Sequence, residues 1–176
     1  MKRLLLLLTL LLAGCTDRAP ACTDPIGCVE LTADTPLVLG VIAATSGPEA
    51  ASGTRLLEEV RQAVELQDEL LDHPLELRVE AADCSGTEAA RAATRLASAA
   101  DLVLVIGPAC PADLEIAAGY LEGAGIAQLS PRPRFQDGTS LAGLAFQAIQ
   151  AVALQADHGS LWIPRQALIE QLDASP

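Results

Sequence analysis

Leu37-Val38-Leu39-Gly40-Val41-Ile42-Ala43 is an unbroken apolar run of strand length, and Ser46-Gly47-Pro48 turns the chain just after it. A strand without polar alternation is buried on both faces, the position of a central strand in a parallel sheet. Downstream the pattern changes period. From Ser52 to Leu71 the apolar residues Leu56, Leu57, Val60, Val64, Leu66 and Leu70 recur at near-helical spacing among Glu, Arg and Gln, and His73-Pro74 stops the helix. Leu75 to Ala81 alternates strictly, as an edge strand with one wetter face does. An alanine-rich helix over Thr87 to Ala100 follows, then the apolar strand Asp101 to Gly107. Pro111 opens the next helix, which runs to about Glu122; Gly123-Ala124-Gly125 ends it before a short strand over Ile126 to Leu129. Strand and helix alternate with short connections, so the fold class is α/β: a parallel sheet in a three-layer α/β/α lobe. Ligands of such sheets bind at loops beyond the carboxyl ends of the strands. Those loops are Ala44 to Pro48, Asp83 to Gly86, Pro108 to Pro111 and Ser130 to Arg134.

Upstream, residues 1–15 read as an export signal. Lys2 and Arg3 precede the apolar run Leu4 to Leu12, and Leu12-Ala13-Gly14-Cys15 closes the segment. A nine-residue run, apolar but for Thr9, cannot span a hydrocarbon core, which needs about 20, but it fits the core of a secretory signal. The small residues before Cys15 resemble the bacterial lipobox, which implies that Cys15 is diacylated and anchors the chain to a membrane, facing the periplasm or cell exterior. Residues 16–36, rich in Thr, Asp, Pro and Cys, read as a tether.

The remainder after the signal is long enough for one domain with a real core. It has no lysine and sets nine arginines against 23 acids, a net excess of 14 negative charges. That sign excludes nucleic-acid phosphates and anionic lipid heads as natural partners. Four cysteines remain beside Cys15, and an oxidising compartment favours two bridges. Cys22 and Cys28 suit a local loop. Cys84 with Cys110 would close a longer one, adding roughly 3 kcal/mol. No CxxC spacing supports a metal site, and no cofactor is implied. GxGxxG, Walker, HExxH and GxSxG motifs are absent, so the chain does not read as an enzyme. A Ser130–His158–Asp83 triple is of a kind any chain this size offers by chance.

Past Ser130 the pattern is less regular. Pro131-Arg132-Pro133-Arg134 forbids helix and central strand. A helix is expected over Leu141 to Gln155, a turn at Asp157-His158-Gly159-Ser160, an extended piece at Leu161 to Ile163, and a last helix from Pro164 through Leu172. His73 and His158 read as exposed turn residues, and Asp83 as a turn or cap residue.

Taken together, Leu39 to Ile42 with Ser46-Gly47-Pro48, Asp83-Cys84, Val105-Ile106-Gly107-Pro108-Ala109-Cys110, and Gly125-Ile126 through Leu129-Ser130-Pro131 resemble type I periplasmic solute-binding proteins, the branched-chain amino-acid receptors of ABC transporters. The resemblance also implies a Cys84–Cys110 bridge. Ala148 through Leu172 is similar to a segment near the C-terminal end of those receptors, and only Phe135 to Gln147 separates it from the first block. In full-length receptors a whole second lobe lies between the two. The resemblance therefore implies one lobe, with 37–134 as its N-terminal part and 135–176 as its C-terminal helical part.

The family's lobe one grips an amino acid through short hydroxyl and backbone groups on strand-end loops. The serine that typically follows the bridged cysteine is Pro111 here, the small-hydroxyl motif after Ser-Pro is Arg132-Pro133-Arg134, and an aromatic of the first loop is Ser52. Ser46, Ser130 and the backbone through Cys110 remain as ligand contacts. Arg132 and Arg134 either capture a ligand carboxylate or are solvated arginines balancing an acidic surface. The resemblance implies an amino-acid ligand, bound weakly by one lobe, and an ABC permease partner. The alternatives are a non-transport lipoprotein whose lobe serves as an interaction or homodimerisation module, and a degenerate gene product.

Overall fold

The computed structural model describes residues 22–131, 140–155 and 160–175. Its strands are β1 (Cys28–Leu31), β2 (Leu37–Ala44), β3 (Glu69–Leu70), β4 (His73–Ala82), β5 (Leu102–Ile106), β6 (Ala127–Leu129), β7 (Leu154–Gln155) and β8 (Leu161–Pro164). The helices are α1 (Ala50–Gln67), α2 (Thr87–Ala97), α3 (Pro111–Gly123), α4 (Leu141–Val152) and α5 (Arg165–Ala174). None of the helices among the described residues is long and apolar enough to cross a membrane.

The five-stranded sheet has the order β3-β4-β2-β5-β6, and β2, β4, β5 and β6 are parallel. β2 is central, as its apolar run requires: all eight residues are buried, and they pair with β4 from Leu37 opposite Leu75 to Ala44 opposite Ala82. Side chains of β2 divide between two cores. Leu37, Leu39, Val41 and Ala43 face the core shared with α1, α4 and α5. Val38 and Ile42 face α2 and α3 through Ala92, Ala93, Leu96, Ala117 and Leu121. The alanines of α2 let that helix lie close to the sheet, and so does Gly40, where a Cβ would sit 3.0 Å from Val105. β4 shows the alternating exposure of an edge strand over most of its length, broken only at Leu77-Arg78.

Four details depart from the sequence reading. The first helix ends at Gln67, where Asp68 takes a positive φ of 58°, and Leu71 and Asp72, also at positive φ (57° and 65°), fold β3 back on β4 as a tight hairpin. His73 is consequently not an exposed turn residue: it is 3% exposed, with Nδ1 2.8 Å from the Thr35 carbonyl oxygen. The helix from Leu141 stops at Val152 and gives way to β7. Residues 28–31, expected within the tether, form β1, which pairs antiparallel with β8 and buries Val29 and Leu31. Four residues are too few to show a period, and the partner strand lies at the far end of the chain.

This second sheet, β1-β8-β7, joins the chain ends. A disulfide links Cys22 and Cys28. Within its loop Asp24 caps the last helix: Oδ2 accepts from Gln166 N (3.0 Å) and Ala167 N (3.4 Å) of α5. Such caps contribute about 1 kcal/mol. Arg165 N donates to the Gly27 carbonyl at 3.1 Å. Burial pushes the Arg165 guanidinium below its ordinary value, and the Asp24 carboxylate opposes that shift. Ile26 lies over Gly125 just before β6, and Arg165 Nη2 donates to the Ala100 carbonyl just before β5. The loop therefore docks at the amino end of the parallel sheet.

Candidate functional site

The direction of strand addition reverses between β2 and β5: β4 follows β2 on one side, while β5 and β6 follow on the other. At such a switch point the loops beyond the carboxyl ends of the two strands mark the crevice where ligands of open α/β sheets bind. Here those loops are Ala44 to Pro48 and Gly107 to Cys110. Gly53 lets the first turns of α1 press on the end of β2, because a Cβ there would overlap the Ala44 backbone. Gly107 has φ +87°, and a Cβ would meet the Ile42 carbonyl oxygen.

Hydrogen bonds fix these loops to one another. Thr45 N donates to the Ala82 carbonyl at 3.0 Å, joining the first two loops. Gly107 N donates to the Leu129 carbonyl at 2.7 Å, and Gln128 Nε2 donates to the Gly107 carbonyl at 2.9 Å. The Cys84–Cys110 disulfide ties the β4 loop to the start of α3. Beside it lies Asp113, fully buried in the first turn of α3. Its Oδ2 accepts from Cys84 N at 2.9 Å and its Oδ1 from Gly86 N at 2.8 Å. Cys84 and Gly86 both have positive φ (64° and 79°), so the clamp holds a conformation the chain would not otherwise favour. Asp83 is a turn residue: Ser85 donates to its carboxylate and holds its pKa below the ordinary range.

Cys84, Cys110 and Asp113 also group their ligand atoms within 4.8 Å. The sulfurs are bonded to each other and both carboxylate oxygens accept N–H bonds, which accounts for the trio as a structural clamp.

The N-termini of α1 and α3 follow these loops and carry no side-chain cap. N–H groups and positive dipole ends at helix N-termini favour a small anionic group, and in α1 the Ala50 N–H already donates to the Gly47 carbonyl at 3.4 Å. Pro111 at the first position of α3 withdraws one such donor. Ser46 is exposed in the first of these loops; Cys110 is buried, with its sulfur committed, and brings only backbone. Ser130 follows β6 and is 1% exposed, lining a groove at the edge of the sheet. Arg132, Arg134, His158 and Cys15 lie outside the described residues. The sequence reading missed Asp113; its one signal was an acid in the first turn after Pro111, a position ordinary helices also fill. It missed Asp24 too, since nothing local ties that residue to a helix at the other chain end.

No protein-family model and no curated protein sequence matches the chain. Solved structures do. The Streptococcus pneumoniae LivJ branched-chain amino acid transporter substrate-binding protein, crystallised with isoleucine, is similar over 59% of this chain and 30% of its own, with TM-score 0.54 and 25% identity. The Thermotoga maritima leucine-binding protein LivK is similar over 76% of this chain and 44% of its own, with TM-score 0.51 and 20% identity. An ABC transporter substrate-binding protein from Sphaerobacter thermophilus covers 54% and 26%, with TM-score 0.51 and 20% identity. The chain thus spans less than half the length of each of these three proteins. Such neighbours are substrate-binding proteins, not enzymes. The chain has, over the matched part, the type I periplasmic binding protein fold, and its structural neighbours are LivJ- and LivK-type substrate-binding proteins.

Proposed function

We propose that this chain is a lipid-anchored, extracytoplasmic receptor lobe of the amino-acid-binding type, offering an open half-site for a small aliphatic amino acid. The observation that carries the reading is the crevice itself: two uncapped helix N-termini and the Ser46 loop at the switch point of a fold shared with an isoleucine-bound protein. A carboxylate would take the helix N-termini, and the ligand's outer side would stay in water. Full receptors close two lobes on a ligand by a hinge. A half-site buries far less, so affinity falls into the millimolar range. Calorimetry of isoleucine against residues 16–176 tests this, and a dissociation constant of micromolar or below would overturn it. An ABC permease is the partner this reading implies.

Cys15 as the anchor adds an orientation. Seven Cα steps separate it from Cys22, a reach of at most about 25 Å. Because the Cys22–Cys28 loop docks at the amino end of the sheet, the crevice at the carboxyl end faces away from the membrane. Cys15→Ser should move the protein from the membrane fraction to the soluble one; a variant still recovered with membranes would refute the anchor.

A further inference from the structure

We propose that Cys84, Cys110 and Asp113, once the disulfide between the cysteines is reduced, form a binding site for a thiophilic divalent cation of the zinc type. The three side chains bring two sulfurs and a carboxylate oxygen within 4.8 Å of one another. Two thiolates and a carboxylate are a set of three protein ligands for tetrahedral zinc, which keeps its fourth position for water or another donor. Hard cations such as magnesium and calcium prefer oxygen-only shells, so the sulfurs select against them. The site lies where the β4 loop meets α3, and it is independent of what the crevice binds.

The ligands stay placed without the bridge. Asp113 accepts from Cys84 N at 2.9 Å and from Gly86 N at 2.8 Å, bonds in which the sulfurs take no part. They hold the Cys84 backbone against α3, with the two cysteine Cα atoms 5.9 Å apart. Side-chain rotation alone then parts the sulfurs to the roughly 3.8 Å of a tetrahedral pair with bonds of about 2.3 Å. Each Asp113 oxygen spends one lone pair on an N–H and keeps another for a metal. The two N–H groups thereby become the outer shell that orients a ligating carboxylate. Cys110 is the N-cap of the 13-residue α3, whose positive end offsets thiolate charge. Cys110 and Asp113 are buried, while the half-buried Cys84 leaves an entrance. A dithiol reductant supplies two electrons and two protons and becomes a disulfide itself, while the Cys84–Cys110 bond breaks to two thiols. A phosphine does the same with water as the source of oxygen and protons, ending as its oxide. Zinc then displaces the two thiol protons and forms two Zn–S bonds. Reoxidation removes two electrons, re-forms the disulfide and expels the cation.

The test titrates zinc into the full-length chain reduced by a phosphine, with amide chemical shifts as readout. Zinc should bind with a dissociation constant of micromolar or tighter and move the amides of Asp83 to Gly86 and Ala109 to Leu114. Cadmium in its place should add a thiolate-to-metal charge-transfer band, and magnesium should do neither. The oxidised chain should show no zinc response at these amides. Cys84→Ser with Cys110→Ser, equally reduced, keeps the Cys22 and Cys28 thiols as an internal control and should bind at these amides more than about 100-fold more weakly. Asp113→Asn should weaken zinc about tenfold, with unchanged shifts elsewhere showing that the fold is kept. Affinity no tighter than millimolar in the reduced chain, an equal response in the oxidised chain, or unchanged affinity in either variant would each overturn the proposal. Loss of the fold on reduction would overturn it too, because the site needs Asp113 held against residues 84–86.

Discussion

Replacing Asp113 with alanine is expected to destabilise the protein by about 3 kcal/mol, because two backbone donors lose a charged acceptor in a water-poor position. The carboxylate is fully buried and accepts from Cys84 N and Gly86 N at 2.9 and 2.8 Å. Hydrogen bonds to charged groups contribute roughly 1.5–3 kcal/mol each, and the two share one carboxylate, so the estimate lies below their sum. For a domain of this size the loss should lower the melting temperature by about 10 °C. Asp113→Asn keeps one oxygen acceptor but turns its amide toward a donor, so it should recover less than half of the loss. Urea unfolding of the three proteins reads this directly. An alanine variant melting within two or three degrees of the parent would mean that the loop stands without the clamp.

The second large effect concerns the covalent half of the same clamp. Cys84 and Cys110 close a loop of 26 residues. Removing both sulfurs as Cys84→Ser with Cys110→Ser should cost about 3.5 kcal/mol on the chain-entropy model. Asp113 and the disulfide restrain one loop, so their effects should not add. With the bridge gone, residues 84–86 can move, and the Asp113 bonds are then worth less. The combined variant should therefore fall short of the summed losses by about 1 kcal/mol. Full additivity in the same urea series would indicate two independent restraints.

The core of the fold was legible because its signals are local. The run Leu37 to Ala43 has no polar alternation, and it is the buried central strand; Leu75 to Ala81 alternates, and it is part of the strand nearer the edge. Period and burial are linked by geometry along Leu37 to Ala43; in Leu75 to Ala81 the link holds as far as Leu77 and then inverts, leaving Val79 exposed and Glu80 half-buried. Contacts between distant segments were not legible. β1 is four residues long and makes sense only against β8, and Asp24 becomes a cap only once α5 arrives beside it. His73 follows the same rule, since its burial depends on a hairpin made by two positive φ values at Leu71 and Asp72, neither of which is glycine. In the crevice, resemblance pointed to Ser46, Cys110 and Ser130. The structure exposes Ser46 in the loop after β2, leaves Cys110 only its backbone, and sets Ser130 deep beside the edge groove. Those differences are matters of side-chain direction, which spacing in a sequence does not carry.

If the crevice between the Ser46 and Cys110 loops is an open half-site for an aliphatic amino acid, isoleucine should perturb the amides around it. Titrating isoleucine into the isotope-labelled chain, with amide shifts as readout, tests it most directly. Saturable shifts are expected, confined to Thr45 to Gly47, Ala109 to Asp113 and the first turn of α1, with a dissociation constant in the millimolar range. Saturable shifts elsewhere, or no response at these amides at tens of millimolar isoleucine, would contradict it.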